Sequence, residues 1–306
     1  MRILVTGGAG FIGSHVVDAY LAAGHEVAVI DNLATGRRAN VSKEARLHEI
    51  DIHSHETERV FAEFKPEVVN HHAAQASVKV STGDPVFDLE VNGGGTARIA
   101  SLCVQYGVRK LIYSSSGGTV YGEPDELPVP ETHPTRPVSN YGLSKLVGEL
   151  YIDLMARTAG LDYTILRYSN AYGPRQDPLG EAGVVAIFTG RMLAGEQCTI
   201  DGDGEQRKDY IYVGDIARAN VLCLDRGSRA TLNIGTGRGT SVNEIFRTLN
   251  DATGNTVAPR NGPPRPGDVR NFWLDTTRAK EVLGWQAEMG FEEGIATTVE
   301  WFRQHS

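Results

Sequence analysis

The chain has 306 residues, enough for one large or two intertwined domains with an ample core. Its 41% hydrophobic and 22% charged content is that of an ordinary soluble globular protein, and a net charge of −8 argues against general nucleic-acid or anionic-membrane binding. Cys103, Cys198 and Cys223 are scattered with no Cys-x-x-Cys spacing, which excludes a zinc site or disulfide framework and suits a cytoplasmic protein; no apolar run is long enough to span a membrane.

Residues 2–6 (RILVT) read as a short buried strand. Gly7-Gly-Ala-Gly-Phe-Ile-Gly13 follows at once, then a helical pattern to about Ala23, stopped by Gly24. Val27, Val29 and Ile30 make a second strand ending in Asp31. Gly8, Gly10 and Gly13 match the G-x-G-x-x-G dinucleotide fingerprint in its strand–turn–helix setting. Glycines let the backbone turn tightly and approach a pyrophosphate, and the helix N-terminus offers it unpaired N–H groups and a positive dipole end. Asp31 lies 18 residues after Gly13, where a carboxylate can accept both ribose hydroxyls. Its charge would repel a 2′-phosphate, so NAD is favoured over NADP, although Arg37 and Arg38 stand close by in sequence.

The next strands are expected at 46–50, leading into Asp51 and Ile52, and at 67–70. Asp51 can hydrogen-bond an adenine amino group, and Ala73 and Ala74 are small enough for backbone to approach a ligand. His71 and His72 point to opposite faces if the strand continues, and no third ligand is spaced nearby, so they read as structural rather than metal-binding. A helix over 86–106 contains Asn92-Gly-Gly-Gly95. Three interior glycines cost roughly 2–3 kcal/mol against alanine, so close packing or a local irregularity near the cofactor must offset them.

Residues 110–113 form another strand, running into Ser114-Ser-Ser-Gly-Gly-Thr-Val-Tyr-Gly122. Hydroxyls at the C-terminal end of a parallel strand lie where ligands bind in such sheets. If the strand continues to 116, Ser114 and Ser116 share a face and Ser115 points away. Tyr141 and Lys145 are four apart on an expected helix over 141–158, so both side chains leave one face. Bringing a phenol from about 10 to about 7 takes roughly 4 kcal/mol. A lysine about 5 Å away at an effective dielectric of about 20 supplies roughly 3 kcal/mol, and a cationic nicotinamide can supply the rest. Tyr141 is thus a candidate base.

Residues 163–167 give a sixth strand, and the alternation of strands and helices specifies an α/β fold with a doubly wound parallel sheet of Rossmann type. After Tyr168 to Pro178 the regularity breaks into short strands and helices near 184–194, 213–225, 241–252, 276–283 and 291–304. This half reads as a mixed α/β cap that carries Arg175, Arg191, Arg207, Lys208, Arg265 and Arg270, residues suited to phosphate.

TGGAGFIGS (6–14), DN (31–32), HHAAQ (71–75), SSSGGTVYG (114–122), YGLSK (141–145), RYSNAYGPRQ (167–176), KDYIYVGD (208–215), NIGTG (233–237) and RPGD (265–268) together resemble the extended short-chain dehydrogenase/reductase family, and within it the UDP-hexose 4-epimerases. The resemblance covers essentially the whole chain. It implies tightly bound NAD, held by Gly7, Gly10, Phe11, Ile12, Gly13, Asp31, Asn32, Asp51, Ile52, Ala73, Ala74, Gln75, Asn92, Ser114, Tyr141, Lys145 and Tyr168. It implies a UDP-sugar bound by Lys79, Ser116, Gly117, Tyr141, Asn170, Val184, Val185, Arg207, Lys208, Arg265 and Asp268, with no metal. Tyr141 would take the proton of the sugar 4-hydroxyl as hydride leaves C4, Lys145 would hold the cofactor ribose and depress the phenol, and hydride would return to the other face of a 4-keto sugar. The serine 25 residues before Tyr141, Ser116, has the spacing of the catalytic hydroxyl, whereas counting back from Tyr121 would put Gly117 there.

The implied division is residues 1–168 plus about 209–235 for NAD, and about 169–208 plus 236–306 for the nucleotide sugar. A homodimer through segments 85–106 and 140–158 is expected by analogy. Lys208 stands where relatives often carry Arg, Ser169 where they carry an aromatic, and Phe272 where a residue limits room at the sugar 2-position. Uronic-acid or N-acetylhexosamine nucleotides are the alternative substrates. A 4,6-dehydratase is disfavoured because Gly117 and Gly118 replace its Asp-Glu pair, and a non-catalytic NAD-binding regulator because Tyr141 and Lys145 are retained.

Overall fold

The computed structural model describes residues 1–178, 183–254, 256–264 and 269–305. Seven strands form one parallel sheet: β1 (Arg2–Thr6), β2 (Glu26–Asp31), β3 (Arg46–Glu49), β4 (Val68–His71), β5 (Lys110–Ser116), β6 (Asp162–Tyr168) and β7 (Ala230–Ile234). Their spatial order is β7-β6-β5-β4-β1-β2-β3. The order reverses between β1 and β4, where Thr6 lies opposite His71, so the loops leaving these two strands part and open a crevice.

The apolar strands are explained by cover on both faces. Ile3, Val5, Val27 and Val29 enter one core with Val16, Val17 and Tyr20 of the helix Phe11–Ala22 and Ile216 of the helix Val213–Leu222. Leu4, Ala28 and Ile30 enter the other with Phe61 of the helix His55–Phe64, Ile99 of Gly95–Gln105 and Ile152 of Asn140–Ala159. The helix Asn140–Ala159 starts where Ser139 accepts from the Gly142 N–H and stops at Gly160 in the left-handed region.

The glycine-rich helix is both irregular and closely packed. Pro85–Leu89 passes through a π-helical turn, Glu90–Gly94, into Gly95–Gln105. A Cβ on Gly95 would fall 2.5 Å from Ile52 Cδ1. Beyond β6 the chain makes small sheets, Asn170–Tyr172 with Tyr210–Tyr212 and Arg207–Lys208 between Thr240–Ser241 and Asn271–Phe272, and the helices Val184–Leu193, Val242–Thr253 and Phe291–His305 close a separate apolar cluster. Between the Val213–Leu222 helix and Thr240–Ser241 the chain returns once to the main sheet as β7. No helix among the described residues is long and apolar enough to cross a membrane.

Candidate active site

The loop after β1 is shaped by two glycines. Gly7 has φ +71°, and a Cβ there would lie 2.5 Å from the Ala73 nitrogen; a Cβ on Gly13 would lie 2.2 Å from the Gly7 oxygen. Gly8 instead packs its α-carbon against Val29, so the turn is made by Gly7. The helix Phe11–Ala22 begins after Gly10 with no capping side chain and no acidic residue in its first turn, which leaves that end suited to an anion. Asp31 is 7% exposed at the end of β2 and accepts from the Ala9 and Leu33 N–H groups, both at 2.9 Å. Arg37 pairs with Asp177 at 2.8 Å and Arg38 pairs with Glu49, so both nearby cations are already engaged by carboxylates. Asn32 donates to Asp51 at 2.7 Å, while Ile52 is buried in the core against Gly95.

Across the crevice, the Asn92 side chain accepts from the Gln75 N–H at 2.9 Å and donates to the Gln75 carbonyl at 3.0 Å, fixing the loop that also carries Ala73 and Ala74. The two histidines face opposite ways. His71 lies between the Thr6 and Thr96 hydroxyls at 2.6 and 3.1 Å, and His72 meets the Tyr168 hydroxyl at 3.3 Å. Tyr168 is buried in that contact and in a bond from Asn220 at 2.9 Å.

Strand β5 continues to Ser116, three residues past its expected end, so its serines alternate. Ser115 donates to Glu149 Oε1 at 2.5 Å, so its hydroxyl is engaged by that carboxylate. Ser114 stands beside the Tyr168 hydroxyl and Ser116 beside the Tyr141 hydroxyl, and each pulls that phenol's pKa down. Lys145 is 3% exposed, its Nζ 4.4 Å from the centre of the Tyr113 ring. Burial pushes Lys145 down to about 7, with Glu149 and then Asp88 pulling it back up. Burial, then Asp88, push the half-buried Tyr141 up to about 12, with the Ser116 hydroxyl pulling it down. Burial drives both groups toward neutrality, so depressing the phenol takes positive charge beyond that of Lys145.

A cavity of about 770 Å³ lies in the region beyond β6, lined by Asn170, Val184, Arg191, Lys208, Tyr210 and Arg270 among others. Several expected binding residues stand elsewhere. Val185, 1% exposed, turns into the apolar cluster behind the helix Val184–Leu193. Arg207 points outward to the Gly239 carbonyl at 3.2 Å, so Lys208 is the member of that pair on the cavity wall, where its ammonium also bonds the Val269 carbonyl. Lys79 is exposed on the helix Val78–Gly83, and Gly117 is buried beneath Leu274. Arg265 and Asp268 lie outside the described residues. Phe272 is 2% exposed and packs on Tyr121 with ring centres 6.5 Å apart, so its ring is part of a core and not of the cavity wall. Ser169 is likewise buried, beside Gly235.

Residues 3–235 match the model of the NAD dependent epimerase/dehydratase family. The chain belongs to this family. It is 46% identical to the UDP-glucose 4-epimerase of Mycolicibacterium smegmatis over 312 aligned positions, covering 100% of both chains. The crystal structure of a UDP-glucose 4-epimerase with UDP-glucose from Thermotoga maritima superposes with a TM-score of 0.98 at 51% identity, covering 100% of this chain and 99% of that one. The Thermus thermophilus UDP-glucose 4-epimerase in complex with NAD gives a TM-score of 0.94 at 47% identity over 100% of both chains.

Three buried acidic groups of this family member escaped the sequence reading. Asp88 is fully buried and bonds Ser144. Glu149 is buried against Arg167 at 2.6 Å. Asp209 accepts from the Thr236, Gly237 and Leu274 N–H groups and so ties three segments beside the cavity. Glu149 was findable, since it follows Lys145 by four residues on one helix face. Asp88 and Asp209 become informative only through partners distant in sequence.

Proposed function

We propose that the protein is an NAD-dependent 4-epimerase of a UDP-hexose, interconverting the glucose and galactose forms through a transient 4-keto sugar. The observation that carries this reading is the Ser116 hydroxyl beside Tyr141 at the mouth of a glycine-loop crevice, with Lys145 on the same helix face. The full-length likeness to UDP-glucose 4-epimerases supports it. The residues present fit NAD. The loop from Gly7 to Gly13 leaves a cradle that a Cβ would fill, the helix end behind it is uncapped, and Asp31 stands where a 2′-phosphate would be repelled. Gly7 to Gly13, Asp31, Asp51, Ala73 to Gln75 and Lys145 would hold it. Bound NAD supplies the hydride acceptor and, once reduced, the donor.

Tyr141 takes the proton from the sugar 4-hydroxyl and later returns it. Ser116 donates a hydrogen bond to the 4-oxygen as charge develops. Asn170 and Lys208 bind the nucleotide phosphates. Residues 1–168 with 209–235 serve the cofactor, and 169–208 with 236–306 the nucleotide sugar. Incubation with UDP-glucose, read by NMR of the sugar, is expected to give UDP-galactose, and nucleotide extracted from the purified protein is expected to be NAD. A uronic-acid or N-acetylhexosamine nucleotide turned over faster than UDP-glucose would move the substrate; a deoxy-keto product would overturn epimerisation.

We further propose a homodimer through the helices at 85–105 and 140–159. Val86, Phe87, Leu89, Leu143, Leu150, Tyr151 and Leu154 are exposed there, apolar side chains that a second copy would cover. A monomeric sedimentation coefficient would refute this. Three buried free thiols suit a reducing compartment such as the cytoplasm.

A further inference from the structure

Two carboxylates are buried around Lys145, and they differ in one respect. Glu149 is gripped by Arg167 through Nε at 3.0 Å and Nη2 at 2.6 Å, so a cation stands directly against its charge. Asp88, fully buried on the helix Pro85–Leu89, meets neutral donors: Ser144 Oγ at 2.6 Å, Gln75 Nε2 at 2.7 Å and Asn92 Nδ2 at 3.1 Å. Among the described residues it makes no ion pair. Ser144 sits between Tyr141 and Lys145 on the same helix, and Asn92 also holds the Gln75 backbone. One carboxylate thus ties together the helix bearing the acid–base pair, the π-helical turn and the loop after β4.

We propose that Asp88 is a positioning residue that supplies the uncompensated negative charge facing Tyr141 and Lys145, and so sets the pH range over which the pair works. The proposal rests on the reading of Tyr141 as the base. Lys145 is faced by Tyr141 and Glu149 on its own helix, by Tyr113 from β5, by His71 and His72 at the end of β4, and by Asp88. Both histidines are held down by burial and then by Lys145 itself, His72 to about 3, so they bring no second cation near neutral pH. Glu149 and Asp88 are the acidic groups in this set, and Asp88 acts on both members of the pair, raising Tyr141 and Lys145 alike. Removing its charge while keeping its shape lowers both groups together. The limb where Tyr141 becomes protonated and the limb where Lys145 loses its proton then move to lower pH in the same direction.

The test compares the holoenzyme with Asp88→Asn, and with Asp88→Ser should the first variant fold poorly. The expected result is a kcat/KM profile with both limbs displaced to acid by roughly one pH unit. Lysine-13Cε NMR, with Lys145 assigned through Lys145→Met, is expected to show its midpoint falling as well. Ser144→Ala removes a bond to Asp88 but not its charge, and is expected to lower the melting temperature while leaving both midpoints in place. Unmoved limbs and an unmoved Lys145 midpoint in the Asp88 variants would reduce Asp88 to a structural tie, whatever happens to kcat or stability. Should Tyr141→Phe stay active, the acid–base reading itself fails; should Tyr141→Phe be dead and Asp88→Asn unshifted, only the present inference fails.

Discussion

The crevice has two ends built on different principles. At the β1–β2 end the recognition surface is backbone: Gly7, Gly13 and an uncapped helix start, with Asp31 pinned by two N–H groups. At the β5 end it is side chains: Ser116, Tyr141 and Lys145, with Asp88, Glu149 and Arg167 behind them. The first end depends on the space left by absent Cβ atoms and is insensitive to protonation. The second depends on charges placed in a poorly solvated pocket, where burial, adjusted by the neighbouring carboxylates, leaves a lysine at about 7 and a phenol at about 12. Binding and chemistry are thereby separable, and variants at the two ends should fail differently.

The sharpest separation is expected from Tyr141→Phe, which removes a proton acceptor and little contact area. Turnover should fall by about 10³-fold or more, with NAD content and UDP-sugar affinity within a few-fold, measured by steady-state kinetics and calorimetry. Loss of the cofactor as well would mean that the two ends are not independent.

Next is the pair of neighbouring serines. Ser116→Ala should lower kcat by about 10²–10³-fold with little change in KM. Ser115→Ala strips a donor from the buried Glu149, so it should cost about 1–3 kcal/mol in denaturant unfolding while leaving kcat closer to normal. A larger kcat effect at Ser115 would reverse their assignments.

Lys145→Met probes the charged end through stability. The folded lysine lies at about 7 against an ordinary 10.5, so below about pH 7 the folded state carries the full cost of an ammonium that water would solvate better. Between 7 and 10.5 that cost is progressively released, because the folded group is already neutral while the unfolded one still binds a proton. Relative to wild type, the variant should gain on the order of a few kcal/mol as pH falls through that window and then level off, as followed by denaturant melts. A pH-independent difference would mean that Lys145 is not desolvated.

The smallest effect is expected at the backbone end. Gly13→Ala drives a Cβ to 2.2 Å from the Gly7 oxygen, which is backbone and cannot swing away. It should cost about 1–3 kcal/mol of stability and release NAD on purification, with no change in the pH profile of whatever activity remains on adding NAD.

Much of this architecture is local in origin and was legible from the chain alone. The βαβ start, the glycine loop, Asp31 at a strand end and the one-face spacing of Tyr141 and Lys145 follow from backbone sterics and from periods of 2 and 3.6 residues, which act between near neighbours. The helix His55–Phe64 went unread although Ser54 caps it, and the seventh strand is not evident because β7 returns only after the excursion that builds the cavity. Tertiary structure alone decided which candidates face a ligand. Val185 and Phe272 have the right sequence positions but complete apolar cores, where their burial is worth more than exposure to a polar cavity. It also decided the charge state of the site. A pKa responds to desolvation and to charges a few ångströms away, and those charges come from segments as distant as Asp88 and Ser144, 56 residues apart in the chain.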